Sequence, residues 1–290
     1  MTASFDPKLA FSRNLGWVTE AEQEKLSKIH VGIIGMGGVG GQYAEILARL
    51  GVSHYTICDF DEFSIENTNR QNECKVSNYG RNKAEVITEL IKDINPTATV
   101  KTMKKPLKLE EVDSFCDSID IYLDALDFFV VDLRVSIFRK MRALGKPAVT
   151  AAPVGTGAAC LIFTRDSMSF DDYFGFHRSQ DVVEQSNIFL VGVAPTLQHG
   201  RYIQDRSRAD FANRKVPSLP IGVYACAAVM ATCVLKITLG RGKILKAPWS
   251  VHYDSYLMQV KKKYVWWGYR NPFQLLKLWI LNRIVKKSLR

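Results

Sequence analysis

Three observations predict a doubly wound, mostly parallel α/β sheet with a C-terminal strand and helix extension. Short β-rich runs alternate with helical patterns from His30 to Thr164. The first of these runs ends in a cluster of glycines that opens a helix. Beyond a stretch of weak periodicity lie one apolar helix and a basic, aromatic end.

The elements follow in order. "VTEAEQEKLSKI" (Val18 to Ile29) spaces its apolar residues helically and offers Thr19 as an N-cap. "HVGIIG" reads as a strand. "GQYAEILARLG" reads as a helix closed by Gly51. "HYTICDFD" is the second strand, and "RNKAEVITELIKDINP" is a helix stopped at Asn95-Pro96. "ATVKTMKKPL" and "IDIYLDALD" read as strands, with "DLRVSIFRKMRALGKP" as the next helix. "AVTAAPVGTGAACLIFT" is extended, small and apolar, and the alternation of strands and helices through Thr164 predicts a parallel, doubly wound sheet. From Arg165 to Pro220 the period weakens, and Pro195 to Pro220 is too long and polar for a plain connector. "GVYACAAVMATCVLKITLG" is a buried helix; one or two strands and a helix from about Pro272 complete the chain. The expected organisation is one nucleotide-binding domain over 1–260, with 195–220 as a substrate lid, and a basic aromatic tail over 261–290.

Composition narrows the function classes. The 290 residues are 47% hydrophobic and 23% charged, as in an ordinary globular chain. There is no run of about 18 uninterrupted apolar residues and no apolar core of signal-peptide length near the start, so neither a membrane span nor a signal peptide is expected. Six scattered cysteines without a CxxC pair argue against structural zinc and a disulfide framework, and point to a reducing, cytoplasmic setting. The net charge of +10 is concentrated at one end: residues 261–290 hold nine Lys/Arg and no Asp/Glu. The body is therefore near neutral, unlike a uniformly basic nucleic-acid binder.

Gly35, Gly37 and Gly40 fit G-x-G-x-x-G, with Gly38 and Gly41 in addition. Such a loop brings backbone N–H groups close to phosphate at a helix N-terminus. Asp59 ends the next strand, where a carboxylate can accept from ribose hydroxyls. A Rossmann-like nucleotide site follows, with NAD, FAD and ATP all open. "DFDEFSIENTNRQ" (Asp59 to Gln71) then gathers polar groups after a strand, Lys83 opens a helix, and "DALD" leaves Asp124 and Asp127 at a strand end. Cations beside a phosphate loop suit charge growth on a transferring phosphoryl group, and a carboxylate at the rim suits Mg²⁺.

The ordered series "FSRN", GxGGxG, "DFD", "NxNRQ", lysine and D-x-x-D resembles the ThiF/MoeB/HesA family, adenylating enzymes related to ubiquitin-activating enzymes. The resemblance covers roughly Phe11 to Gly240. It implies that Gly35, Gly37, Gly38 and Gly40 cradle ATP and that Asp59 binds the ribose. Asn67, Arg70 and Lys83 would hold the phosphates, with Asp61 and Gln71 beside them, and Asp127 would hold Mg²⁺. Arg13 would reach the site from the partner subunit of a homodimer. The implied reaction is attack of a carboxylate on the α-phosphate of ATP, giving an acyl-adenylate and pyrophosphate. The activated group could belong to a ubiquitin-like protein, a peptide or a small acid.

The departures from the family pattern are specific. The two zinc-binding CxxC pairs of many members are missing, Phe128 stands where Asn often follows the magnesium acid, and no cysteine is placed as a thioester nucleophile. Adenylation without an enzyme thioester is the expected course. "NTNRQ" and "DALD" are also similar to the tRNA threonylcarbamoyladenosine dehydratase branch, which makes tRNA an alternative substrate. A nicotinamide or flavin oxidoreductase and an inert nucleotide-binding scaffold are the rival readings. His199, Arg201, Arg206, Arg208, Arg214 and Lys215 in the lid could meet an acidic substrate or could simply be solvated. The tail's apolar residues run nearly all round its helix, so docking on the body or on a partner is favoured over membrane or nucleic-acid contact.

Overall fold

The computed structural model describes residues 4–205, 208 and 216–288. In order the elements are α1 (Pro7–Ala10), α2 (Glu20–Lys28), β1 (His30–Ile34), α3 (Gly40–Arg49), β2 (His54–Cys58), α4 (Lys83–Ile94), β3 (Thr99–Met103), α5 (Val112–Asp117) and β4 (Ile121–Asp124). Then come α6 (Val131–Ala143), β5 (Ala148–Val154), β6 (Gly157–Phe163), α7 (Phe170–Phe174), α8 (Val182–Val193), α9 (Pro220–Leu239), β7 (Trp249–Asp254), β8 (Gln259–Tyr264) and α10 (Pro272–Ser288).

The eight strands form one sheet in the order β3-β2-β1-β4-β5-β6-β7-β8. The first five are parallel; β5–β6, β6–β7 and β7–β8 are antiparallel. The sheet is doubly wound and mostly parallel, as expected, with parallel pairing among β1 to β5; the continuation of parallel pairing to Thr164 is corrected at β6, which pairs antiparallel. Val154 pairs with Gly157, leaving Gly155-Thr156 as a two-residue turn with Gly155 at φ +61°. Such a turn closes a hairpin, so "PVGTGAA" folds back where parallel pairing would need a crossover.

Alternate side chains of the strands feed two cores. Val31, Ile33, Tyr55 and Ile57 pack with Tyr43, Ile87 and Met230, under α3, α4 and α9. Ile34, Cys58 and Tyr122 face the other layer, where Phe138, Phe163, Phe170 and Phe174 stack beneath α5 to α8. α9 is 20 residues long and apolar enough to cross a membrane, but Cys226, Ala227, Met230 and Val234 are buried in the first core, making it a core helix.

Two helices in the weakly periodic stretch, α7 and α8, were not expected. Ser186 and Asn187 lie fully buried on α8 and interrupt the apolar stripe that would have marked it. α2 carries the expected cap, with Thr19 Oγ1 accepting from the Glu22 N–H at 3.2 Å and Glu22 accepting from the Thr19 N–H at 2.9 Å. β8 crosses residue 260, so the first tail residues complete the sheet.

Candidate nucleotide site

The sheet reverses its order between β1 and β4, and ligands of open α/β sheets bind at the C-terminal ends of the strands flanking such a reversal. The glycine loop sits there. Gly35 has φ +95°, and a Cβ on it would overlap the Ala125 carbonyl oxygen. A Cβ on Gly40 would overlap the Gly35 carbonyl. Both positions therefore require glycine, and the contact between Gly35 and Ala125 places the "DALD" loop directly against the phosphate-loop geometry.

Asp59 fixes this loop. Its Oδ2 accepts from the Met36 N–H at 2.6 Å and its Oδ1 from the Asp61 N–H at 2.8 Å. Burial raises the carboxyl's pKa, opposed by these two backbone bonds and by Lys83. An ionised carboxylate has about four acceptor positions, so two bonds leave room for a ribose hydroxyl.

Arg70 and Gln71 lie over the loop. The Arg70 stem is 3.8 Å from where a Cβ on Gly38 would stand, and Gln71 Nε2 is 3.6 Å from the same point on Gly37. Gln71 is buried, and its Oε1 has no hydrogen-bond partner. Buried amide oxygens are normally paired, so this one marks a place where a ligand or water completes the site. Arg70 Nη1 donates to the Glu66 carbonyl and to Asn69 Oδ1, both at 3.0 Å. Asn67 is occupied locally: its Oδ1 accepts from the Ser64 N–H at 3.1 Å, and its carbonyl accepts from the N–H groups of Arg70 and Gln71. It shapes the turn that presents these two residues.

Lys83 is the first residue of α4, is buried, and pairs through Nζ with Asp61 Oδ2 at 3.2 Å. Asp127 is exposed in the loop after β4, with Oδ1 accepting from the Phe129 N–H at 3.1 Å. Phe128 turns to the core, edge-on to Phe189 with ring centroids 5.0 Å apart. Asp124, in contrast, is buried and fully engaged. It accepts from Arg134 Nε and from Thr150 Oγ1, both at 2.8 Å.

Sequence reasoning missed Arg134. It is 1% exposed, and its guanidinium also donates to the carbonyls of Leu126, Asp127 and Val130. The signal was present, because Arg134 falls on the same helical stripe as Val131, Ile137, Phe138 and Met141.

Arg13 is the one candidate that the chain does not bring to this rim. Phe11 packs on Gly51, just past the C-terminal end of α3, whereas the glycine loop is at its N-terminal end. Ten helical residues span about 15 Å.

The first part of the expected lid is tied to the sheet. Thr196 Oγ1 bonds His252 Nδ1 at 2.7 Å, Gln198 Nε2 donates to the His252 carbonyl, and the Tyr202 hydroxyl donates to Asp254 Oδ2 at 2.9 Å. His199 is half-buried beside His252, not spread into solvent. These bonds pin 196–202 to β7. Arg201 and Arg208 are exposed, while Arg206, Arg214 and Lys215 lie outside the described residues. Further on, the Ser218 carbonyl accepts from Asn69 Nδ2 at 3.1 Å, and Val223 lies over Gly38, so the end of this segment borders the phosphate loop.

Five of the six cysteines are buried, and burial raises the thiols of Cys58 to about 11 and of Cys116 and Cys226 to about 12. Cys233 is half-buried with its Sγ 3.6 Å from that of Cys160, whose thiol, with Lys236 nearby, holds Cys233 below the usual thiol value. Both line a groove of about 770 Å³ along α9 that contains none of the glycine-loop residues.

The model of the ThiF family matches residues 11–265. The chain is 36% identical over 118 residues to the tRNA threonylcarbamoyladenosine dehydratase of Bacillus subtilis, covering 40% of this chain and 46% of the relative. It is 30% identical over 142 residues to the sulfur carrier protein ThiS adenylyltransferase of Escherichia coli, covering 49% and 56%. The chain thus spans about half the length of these curated relatives. The crystal structure of the E. coli tRNA N6-threonylcarbamoyladenosine dehydratase superposes with a TM-score of 0.59 at 20% identity, over 80% of this chain and 95% of that one. On the family match over most of its length, the chain belongs to the ThiF family.

Proposed function

We propose that this ThiF-family chain is an ATP-dependent adenylyltransferase that activates a carboxylate. The observation that carries the reading is the seating of Ala125, two residues before Asp127, against Gly35 of the glycine loop. A carboxylate oxygen of the substrate attacks the α-phosphorus, the bond from that phosphorus to the bridging oxygen of the β-phosphate breaks, and pyrophosphate leaves with the electron pair. The product is an acyl-adenylate. Arg70 and Lys83 offset the charge that develops in this step, and the loop's N–H groups hold the phosphates in place.

The residues present fit the nucleotide and the metal. The unpaired Gln71 Oε1 and the Cβ-free loop suit a bound nucleotide. Asp127 offers an exposed oxygen, and one carboxylate shared with phosphates and water is a usual Mg²⁺ arrangement. When bound, the ion supplies charge neutralisation between phosphates. Arg13 completes the site from a second copy in a homodimer. With five cysteines buried and Cys233 half-buried in a groove apart from the loop, transfer proceeds without an enzyme thioester.

A ubiquitin-like protein, a peptide C-terminus or a small acid fits as the acid. A carboxylate carried on a tRNA base is the second reading, favoured by the dehydratases among the relatives.

Thermal unfolding with Mg·ATP, AMP, NAD, NADP and FAD tests the nucleotide, with Lys83→Ala and Asp127→Ala beside the wild type. A ligand at 100 times its Kd stabilises by about 2.7 kcal/mol. Stabilisation by Mg·ATP and its loss in both variants is the expected outcome; stabilisation by NAD or FAD alone would redirect the chemistry to hydride transfer. Pyrophosphate exchange across a panel of acids, peptides and threonylcarbamoyl-modified tRNA then tests catalysis and substrate. ATP binding with no exchange on any of them would indicate an inert scaffold.

A further inference from the structure

α10 docks on the body through one stripe. Leu278 joins the aromatic core, and Leu281 and Val285 pack with Phe129, Val183 and Leu190. Asn187 Nδ2 donates to Asn282 Oδ1 at 2.7 Å. The rest of the described helix surface faces water, yet it is apolar as well: Phe273 is 57% exposed, Leu276 54%, Trp279 51%, Ile280 43% and Ile284 47%. The turn before the helix continues this surface, with Trp267 68% exposed and Trp266 edge-on to Phe273 at 6.1 Å. A solvated helix face is normally polar, and contiguous apolar surface of this kind marks a docking site.

Cations frame the patch. The Arg283 guanidinium lies 3.9 Å over the Trp279 ring and Lys263 Nζ lies 5.7 Å from the Trp266 ring centroid. Across 261–290 the sequence has nine Lys/Arg and no acid.

We infer that this face of α10, with Trp266 and Trp267, docks on an anionic lipid bilayer. Tryptophan, leucine and isoleucine side chains enter the boundary between headgroups and acyl chains, while the flanking cations meet lipid phosphates. Charge complementarity selects this occupant. A second copy docked through the same patch would set its cations against themselves with no acid in the segment to balance them. RNA would use the cations and aromatic planes but leave Leu276, Ile280 and Ile284 without a role.

Sedimentation of the full-length protein with phosphatidylcholine vesicles, with and without phosphatidylglycerol, tests the inference. The wild type is expected to bind the anionic vesicles, less so as salt rises, with its tryptophan emission moving to shorter wavelength. Leu276→Glu with Ile280→Glu is expected to lower partitioning by at least about tenfold, since it removes two apolar side chains from the boundary and adds repelled charge. Both positions are exposed, so the thermal midpoint should hold. Should that variant lose its unfolding transition, Trp279→Gln replaces it, with a smaller drop expected.

Absence of wild-type binding at low salt, or equal binding by a folded variant, would overturn the inference. So would concentration-dependent dimerisation abolished by the variant without vesicle binding, which would assign the face to a second copy. An RNA mobility shift without vesicle binding would assign it to nucleic acid.

Discussion

Lys83 stands where a helix tolerates a cation least, at the positive end of the α4 dipole, and it is buried there as well. The Asp61 carboxylate that pairs with it is itself about half exposed, and the Asp59 carboxylate nearby is committed to the backbone N–H groups of Met36 and Asp61. A residue so placed is poorly explained by stability and well explained by an anion that arrives. Arg134 is the opposite case, because four of its five N–H donors go to Asp124 and to three carbonyls and so hold the "DALD" loop. Arg134→Leu leaves Asp124 buried and unpaired, a change that costs about 3–5 kcal/mol. Urea denaturation should show a loss of that size, with Mg·ATP stabilisation weakened because Asp127 is no longer positioned. Equal stability of variant and wild type would remove Arg134 from this role. Legibility at this scale followed local spacing. Gly35, Gly40, Asp59 and Lys83 belong to short motifs whose chemistry can be read along the chain. Arg134 acts across ten residues, and nothing short of the fold shows that Asp124, not Asp127, is the carboxylate it neutralises.

Among the elements, the parallel strands and the helices α3, α4 and α6 were legible because each keeps a single period, whereas the six-residue α5 is too short to show one. The reading failed where polar groups are buried, as on α8, and where a glycine turn reverses the chain between β5 and β6. The same holds for β7. Its inward positions are Ser250, His252 and Asp254, all fully buried; Ser250 donates to the Val193 carbonyl at the end of α8, and the segment 196–202 supplies partners for His252 and Asp254. Burial, with His199 beside it, pushes His252 down to about 4, while Asp254 raises it slightly against that trend. Between pH 6.5 and 4 the unfolded chain therefore takes up a proton at this site that the folded chain refuses. The stabilising condition is fully present above pH 6.5 and is lost as pH falls. At roughly 1.4 kcal/mol per pH unit, this one histidine should lower stability by about 2 kcal/mol from pH 6.5 to 5. Urea titrations of wild type and His252→Gln at these two pH values check it: the wild type should lose more stability than the variant by about that amount. Parallel losses in both proteins would place the acid sensitivity elsewhere.

For the whole molecule, the site drawn by one chain lacks a cation that the family resemblance assigns to it. Phe11 on Gly51 holds the Arg13 segment at the far end of α3, and Arg13 is exposed there. A homodimer in which each copy lends Arg13 to the other satisfies both facts, and it makes a prediction that a self-sufficient monomer does not. Arg13→Ala and Lys83→Ala should each be inactive in pyrophosphate exchange. Mixed and allowed to exchange subunits, they form heterodimers in which one site carries both lesions and the other carries neither. With random pairing, half the dimers are of this kind and each has one intact site of two, so the mixture should recover roughly a quarter of wild-type activity. Lys83→Ala mixed with Asp127→Ala should recover nothing, because both lesions fall on residues of the same chain's site and every pairing leaves each site broken. Recovery confined to the first mixture would place Arg13 in its partner's site. Full activity of Arg13→Ala alone would show that the cations on one chain, Arg70 and Lys83, suffice for the charge that develops at the α-phosphate.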